Sequence, residues 1–378
     1  MTQDEFLEIK RVAIAEFKEA QFESAHEKFS ELAKTEWAGA RDWENLGTAC
    51  FELGELKAAI AAMERARSLD PTRDEPEIYL GICHLLSGDF AKGWPAYQRV
   101  AALSRKTMDL PPKFQWKGET QLAGQTMILV DEQGFGDTVH FVRYAQPLVR
   151  AGANVVLDVS SPLRTLLAHN PQLGQMGEPK TALNPRYWSR LLALPALLGI
   201  RSGLLENRVP YISAPPGPIP DAVSDQSGLK IGVVWQGNPN HDRDFLRSID
   251  LSKFSVIFKD CPATFFHLHH ESAADEFHAL DSAQELVDLS SSINDFADMA
   301  RIIAQLDLVI SVDSAPAHLA GAMGKPVWLL LPWMPDWRWG LEGETTPWYP
   351  TMQLFRQRER GNWDEVLARV AKSLQRWG

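Results

Sequence analysis

Small and large apolar residues return at an interval of 34 through the first hundred positions of the chain. Ala25, Ala59 and Gly93 keep that spacing, as do Phe29, Met63 and Tyr97, and Val12, Leu46 and Leu80. Ala13, Gly47 and Gly81 follow it too, and so do Ala20, Gly54 and Gly88. A period of this length predicts stacked helical hairpins, because one hairpin cannot bury its apolar face alone. The pattern then changes. Residues 104–126 are polar, with Pro111-Pro112 and Gly118, and predict a linker. After it, short apolar runs alternate with amphipathic ones: a strand at 127–130 and a helix at 138–150, then a strand at 154–159 and a helix near 162–168. The apolar segment 191–198 and the proline-rich stretch 210–220 close this half, and the prolines 215, 216, 218 and 220 of that stretch read as an interdomain linker. A second alternation follows, with strands at 230–235, 264–268, 306–312 and 327–331 and helices near 298–305 and 315–323. A last helix at about 363–377 is expected to cross back over the first half. Domains are thus expected at 1–105, 112–226 and 227–378. The fold class is α plus α/β, with helical repeats followed by two doubly wound, Rossmann-like sheets facing across a cleft.

The middle repeat, with Trp43, Leu46, Gly47, Gly54, Ala59, Ala66 and Pro71, carries the tetratricopeptide signature. Stacked copies leave a concave groove, which either docks a peptide or protein or only supports the fold. The third copy lacks the closing proline and continues Gly93-Trp-Pro-Ala-Tyr97, as a cap on the array would.

Composition narrows the classes. A net charge of −11 argues against a general nucleic-acid binder. The three cysteines, Cys50, Cys83 and Cys261, are far apart and read as buried thiols of a reducing compartment. The start, Met1-Thr-Gln-Asp-Glu-Phe6, lacks a signal-peptide layout, and no apolar run approaches the roughly 18 residues of a membrane span. A cytoplasmic location is expected.

Candidate chemistry gathers where strands end. Asp131-Glu-Gln-Gly-Phe-Gly-Asp137 is a glycine turn between the first strand and its helix. Gly134 and Gly136 would permit a sharp turn, and Asp137 is either a cap on free backbone N–H groups or a catalytic base. Ser311-Val-Asp-Ser-Ala-Pro-Ala-His318 is a second strand–turn–helix. Asp313 and Ser314 suit capping, Pro316 fits only a first helical turn, and the small residues around Ala315 let an anion reach the helix start. His318 on the same turn is either packed or functional. After the strand at 230–235, Gln236 and Gly237 open a loop whose Arg243 and Arg247 balance a diphosphate or simply face solvent. In Phe265-Phe-His-Leu-His-His-Glu271, His267 and His269 share a strand face, but no further ligand pair makes a metal site. His269 or His270 is the better candidate for a ligand contact. The tryptophans of 333–339, with Trp348 and Tyr349, either stack on a base or sugar or pack the C-terminal segment.

Gly134-Phe-Gly-Asp-Thr-Val139 together with Ser311–His318 resembles glycosyltransferase family 9, the heptosyltransferase-like enzymes, over roughly residues 112–378. The likeness is to bacterial proteins in which such a domain follows tetratricopeptide repeats. This resemblance implies a GT-B fold with the donor held mainly by the second half. It also implies metal-independent, inverting transfer from a nucleotide sugar, with no further cofactor. Asp137 matches the family's proposed base, and Asp313, Ser314, Ala315 and His318 match its donor diphosphate and sugar loop. Ala315-Pro316 replaces a glycine-led turn, and arginines stand where a lysine often binds phosphate. Both departures bear on which donor is used. Repeats that present protein acceptors in O-GlcNAc transferases suggest a protein or peptide acceptor by analogy. Against a nicotinamide enzyme, Val139 fills the third glycine position of the fingerprint, and three carboxylates would crowd the pyrophosphate. A scaffold that binds but does not turn over is the other alternative.

Overall fold

The computed structural model describes residues 1–102, 110–177, 186–201, 209–259, 261–269 and 286–377, with side chains from 99 to 102 left aside. His270 and Glu271 lie outside this set. The chain divides into two compact units. One comprises Met1–Leu103, Leu198–Gly203 and Met334–Leu341, and the other comprises the remainder, with both sheets inside it.

Six helices build the first unit: α1 Gln3–Lys18, α2 Phe22–Leu32, α3 Ala40–Glu52, α4 Leu56–Leu69, α5 Glu75–Leu86 and α6 Phe90–Ala102. Thr2 and Glu5 start α1 with a reciprocal capping box, which satisfies two otherwise orphaned N–H groups. The 34-residue period has a backbone cause. Ala20, Gly54 and Gly88 take φ of 59°, 80° and 78°, the left-handed turn between the helices of each hairpin. Gly81 answers a second constraint, because a Cβ there would sit 2.7 Å from the backbone nitrogen of Tyr97. Phe6, Ala13, Ala25, Phe29, Leu32 and Ala49 form one buried cluster between the first hairpins.

The segment 334–341 belongs to this unit. Trp337 packs edge-on against Trp94 at 5.2 Å and Tyr97 at 5.6 Å between ring centroids. The tryptophan tract therefore packs, at least at Trp337, and what it covers is the third repeat.

In the second unit, β1 Thr126–Val130, β2 Asn154–Asp158, β3 Gln175–Met176 and β4 Tyr187–Arg190 form a parallel sheet in the order β3-β2-β1-β4. The helix expected at 138–150 is segmented into α7 Phe135–Phe141, a 3-10 turn at Val142–Tyr144, and α8 Ala145–Arg150. Next come α9 Ser161–Ala168, α10 Leu194–Leu197 and α11 Asp221–Ser224. The stretch expected as a linker at 210–220 is pinned. Tyr211 and Ile212 are buried and donate their N–H groups to the Ala322 carbonyl, and Asn170 Oδ1 accepts from the Ser213 N–H.

The second sheet contains β5 Leu229–Val234, β6 Ala263–His267, β7 Leu286–Asp288, β8 Leu308–Val312, β9 Val327–Leu331 and β10 Met352–Arg356. Helices α12 Asp244–Arg247, α13 Leu251–Phe254, α14 Phe296–Gln305, α15 Ala315–Ala322 and α16 Trp363–Leu374 accompany it. All its pairings are parallel, in the order β10-β9-β8-β5-β6-β7. Counted within this half, that is the 3-2-1-4-5-6 winding of dinucleotide-binding sheets, with the switch point between β5 and β8. Ligands of such sheets bind at the strand ends beside that point. The last helix departs from expectation. Trp363, Val366, Leu367, Val370 and Leu374 share a core with Ile257, Phe258 and Trp328, so α16 packs on the second sheet, where its apolar stripe is satisfied.

Gly81→Ala is expected to destabilise the repeats by about 1–3 kcal/mol, because the new methyl group must push α5 and α6 apart. Circular dichroism during urea unfolding checks this, and an unchanged midpoint would mean that the helices do not approach so closely.

Candidate active site

The turn after β1 holds three carboxylates, and each is spoken for by backbone. Asp131 Oδ2 accepts from the Ser160 N–H at 3.0 Å and the Ser160 hydroxyl at 2.7 Å, at the start of α9. Glu132 accepts the N–H groups of Leu191 and Leu192 at 3.2 and 2.9 Å, just after β4. Burial drives the Glu132 carboxyl up to about 8, against the pull of those N–H bonds and of Arg190. Asp137 Oδ2 accepts from the Gly134 N–H at 3.2 Å, closing the first turn of α7. The capping role of Asp137 is thus present. One backbone bond does not exhaust a carboxylate's acceptor sites, and Asp137 is half-buried rather than sealed.

The glycines act differently from expectation. Gly134 has φ −67°, open to any residue. Gly136 is required by proximity: a Cβ there would lie 2.8 Å from His318 Cδ2 and 3.4 Å from the Ala315 Cα. The start of α7 therefore rests directly on the start of α15, and the first sheet's glycine turn meets the second sheet's anion-type turn.

Ser314 is the N-cap residue of α15, yet its hydroxyl makes no capping bond and pairs with Ser311 Oγ at 2.8 Å instead. The expected side-chain cap is absent because Ser311, three residues earlier on β8, competes for it. By helix geometry the N–H groups of Ala315 and Ala317 have no intrahelical acceptor, and Pro316 has none to offer. The helix dipole adds positive potential at the same place. Asp313 Oδ1 stands 3.7 Å from His318 Nε2.

The loop after β5 reaches this turn. Arg247 Nη1 donates to the Asp313 carbonyl at 3.0 Å, while its Nε donates to Asp244 Oδ1 at 2.9 Å. The Asp244 and Arg247 side chains close directly over Gly237, where a Cβ would fall 2.3 Å from Asp244 Oδ1 and 2.5 Å from Arg247 Nε. Its N–H donates to Ser248 Oγ at 2.9 Å. Gln236 and Arg243 are both half-buried in the same loop, and the Arg243 N–H donates to His241 Nδ1 at 3.2 Å.

The expected residues thus separate into a converging group and an outlier. Gly136, Asp313, Ser314, Ala315, Pro316, His318, Gly237 and Arg247 meet around the α15 turn, with Asp137 next to Gly136, Gly134 at the N-cap of α7, and Gln236 and Arg243 in the loop that carries Gly237 and Arg247. His269 lies past the end of β6, one strand further out, in a stack with Trp235 at 5.7 Å and His267 at 5.0 Å. Burial pushes the His267 imidazole below its ordinary value, against the pull of Asp288. Among the described residues, the group of three metal-type side chains within reach of one another is His26, Cys50 and Glu55, in the repeats.

The sequence did not single out His140, Arg143 or Tyr211, and it left Tyr349 either to stack on a base or sugar or to pack; all four are buried, and Tyr349 packs against α15 at Gly321. Arg143 Nη2 donates to Tyr211 Oη at 2.8 Å, its Nη1 to the Trp348 carbonyl at 3.1 Å, and its Nε to the His140 carbonyl at 2.8 Å. The guanidinium also lies 4.5 Å from the Tyr211 ring centre and 4.9 Å from that of Tyr349. The three-residue step from His140 to Arg143 puts both on one helical face, but nothing local announces their partners, which lie 68 and more residues away.

A helical-repeat array followed by two parallel doubly wound sheets, with strand-end turns brought together, is the architecture of a repeat-bearing GT-B glycosyltransferase. Comparison with known proteins agrees. The model for glycosyltransferase family 9 (heptosyltransferase) matches residues 269–331, and the tetratricopeptide repeat model matches 40–73. The chain thus carries a tetratricopeptide repeat and a glycosyltransferase family 9 segment that contains the α15 turn. It is 24% identical to Protein FlbA of Caulobacter vibrioides across 89% of its own length, and spans 61% of that protein. Among solved structures it is similar to the bacterial iron-containing dodecameric glycosyltransferase TibC from enterotoxigenic E. coli. That match has 14% identity and a TM-score of 0.45, over 65% of this chain and 66% of that one. It is also similar to PcrH from Pseudomonas aeruginosa, with 18% identity and a TM-score of 0.26, over 28% of this chain and 80% of that one. Among the described residues, no helix is long and apolar enough to cross a membrane.

Two outcomes follow from this geometry. Gly136→Ala should cost about 1–3 kcal/mol by forcing α7 off α15; a melting temperature equal to wild type would refute the close approach. Glu132 binds its proton more tightly folded than unfolded, so between its ordinary value of 4.5 and about 8 stability falls as pH rises. Glu132→Gln should remove that slope, so the variant gains on wild type in thermal melts moved from about pH 5 to about pH 8. Parallel curves would contradict the buried carboxyl.

Proposed function

We propose that the second unit is a metal-independent, inverting glycosyltransferase that moves a sugar from a nucleotide-sugar donor to a hydroxyl group. The observation that carries this reading is the contact of the α7 start with the α15 start at Gly136, which sets a carboxylate turn beside an anion-binding turn. The acceptor oxygen attacks the anomeric carbon from the side of Asp137, and its proton passes to that carboxylate. The bond from the anomeric carbon to the donor phosphate breaks, and its electron pair leaves with the nucleoside diphosphate. Negative charge growing there meets the N–H groups of Ala315 and Ala317, the helix dipole, Arg247 and His318. These groups supply the positive field that a metal would otherwise supply. The nucleotide then lies along the loop Gln236–Arg247, at the β5–β8 switch point.

The repeats suit a protein or peptide acceptor, because stacked hairpins present a continuous concave surface to an extended chain. The family-9 match over 269–331 supports the donor side of this reading, and the matched repeat supports the docking side. A cytoplasmic location fits the supply of nucleotide sugars.

A thermal-shift series with UDP, GDP, ADP, CMP, dTDP and NAD should show stabilisation by one nucleoside diphosphate, since a ligand that binds only the folded state raises its melting temperature. Asp137→Asn should keep that shift while transfer from the matching nucleotide sugar falls by about 10²–10⁴-fold. A shift with NAD alone, or undiminished transfer by the variant, would overturn the assignment.

A further inference from the structure

We infer that Tyr349 is a positioning residue that holds neutral His318 as its Nδ1–H tautomer, so that the bare Nε2 faces the junction of α7 and α15. The inference deepens the transferase reading and rests on it for its catalytic meaning, but the chemical statement stands on geometry.

Tyr349 Oη lies 2.8 Å from His318 Nδ1 and 3.3 Å from His140 Nδ1. A phenol has one proton, so it donates to one imidazole and accepts from the other. Arg143 decides which. Its Nη2 stands 3.5 Å from the same His140 Nδ1, and a guanidinium only donates. The His140 Nδ1 is therefore the lone-pair nitrogen, and the Tyr349 O–H points to it. The Tyr349 oxygen is left to accept, and the partner at 2.8 Å must be His318 Nδ1–H. That fixes the tautomer of His318 opposite to the Nε2–H form that free imidazole side chains prefer in water.

Packing makes the arrangement rigid. Tyr349 is fully buried, and Gly321 one turn along α15 lets its ring lie against the helix, where a Cβ would come within 2.7 Å of the ring. Nε2 then faces two groups. Asp313 Oδ1 is 3.7 Å away on the same turn, and a Cβ on Gly136 would be 3.6 Å away on α7. Among the described residues, the charged and titratable groups near His318 include Asp313 on its own turn, Arg247 on the Asp313 carbonyl, His140 and Arg143 from the α7 segment, Asp137 beside Gly136, and Tyr349. With Nδ1 already protonated, the one proton His318 can gain goes to Nε2, beside Asp313. The imidazole thereby becomes a cation at the turn where the leaving diphosphate would carry its charge, without rotation of the ring.

The experiment is nitrogen-15 NMR of the full chain labelled at histidine, with the His318 signals identified by their loss in His318→Asn. In the neutral form, wild-type His318 should show a protonated Nδ1 and an unprotonated Nε2. In Tyr349→Phe the pattern should move toward the Nε2–H form. A protonated Nε2 in wild type overturns the inference, as does an unchanged pattern in a folded Tyr349→Phe. If that variant does not fold, the wild-type spectrum alone decides. Because no substrate is present, the result is independent of transfer. The expected tautomer with no turnover of any nucleotide sugar would remove the transferase reading and leave the positioning intact. Where turnover is found, Tyr349→Phe should lower kcat more than it raises the donor KM.

Discussion

The second unit depends on one close approach. Helices α7 and α15 come from different sheets, yet the Gly136 Cα faces His318 and Ala315 at a distance that leaves no room for a methyl group. Both helices start at the C-terminal end of a parallel strand, so the approach brings two strand-end turns into one place. A sheet of this winding already offers its ligand crevice there. What the contact adds is chemistry of opposite sign: a capped carboxylate turn on one side, and on the other a helix start whose N-cap serine is occupied by Ser311. Arg247, anchored on the Asp313 carbonyl, extends the positive side into the β5 loop.

Around that contact the molecule is tied together by buried polar groups. Arg143 touches the segments of Tyr211 and Trp348, and the Tyr211 hydroxyl donates to the Val139 carbonyl at 2.9 Å. A buried guanidinium costs solvation, which its several acceptors and two aromatic faces offset. The proline-rich stretch that reads as a linker is anchored at Tyr211 for the same reason. Its residues terminate backbone bonds of α15 as well as joining two sheets.

Much of this was legible in the residues. The 34-residue period reflects a left-handed turn at Ala20, Gly54 and Gly88 and helix contact at Gly81, both of which act locally and recur with each hairpin. The main strands of both sheets announced themselves as apolar runs, and the α15 turn as small residues after a strand. Short edge strands such as Gln175–Met176 and Leu286–Asp288 carried too few apolar residues to be seen. The reason for Gly136 was hidden because it lies in His318, 182 positions further on (318 − 136 = 182). Arg143 was hidden in the same way, and Tyr349, legible as an aromatic that stacks or packs, gave no sign of its partners His318 and His140: a buried tyrosine or arginine shows its partners only once the fold brings them to it.

The most direct test of the whole account is a crystal structure of the full chain with the nucleoside diphosphate that stabilises it most. The diphosphate is expected on the N–H groups of Ala315 and Ala317 with Arg247 alongside, and Asp137 facing the position of the missing sugar. A diphosphate bound instead on the Gly134–Gly136 turn, over the β1 strand end, would contradict it.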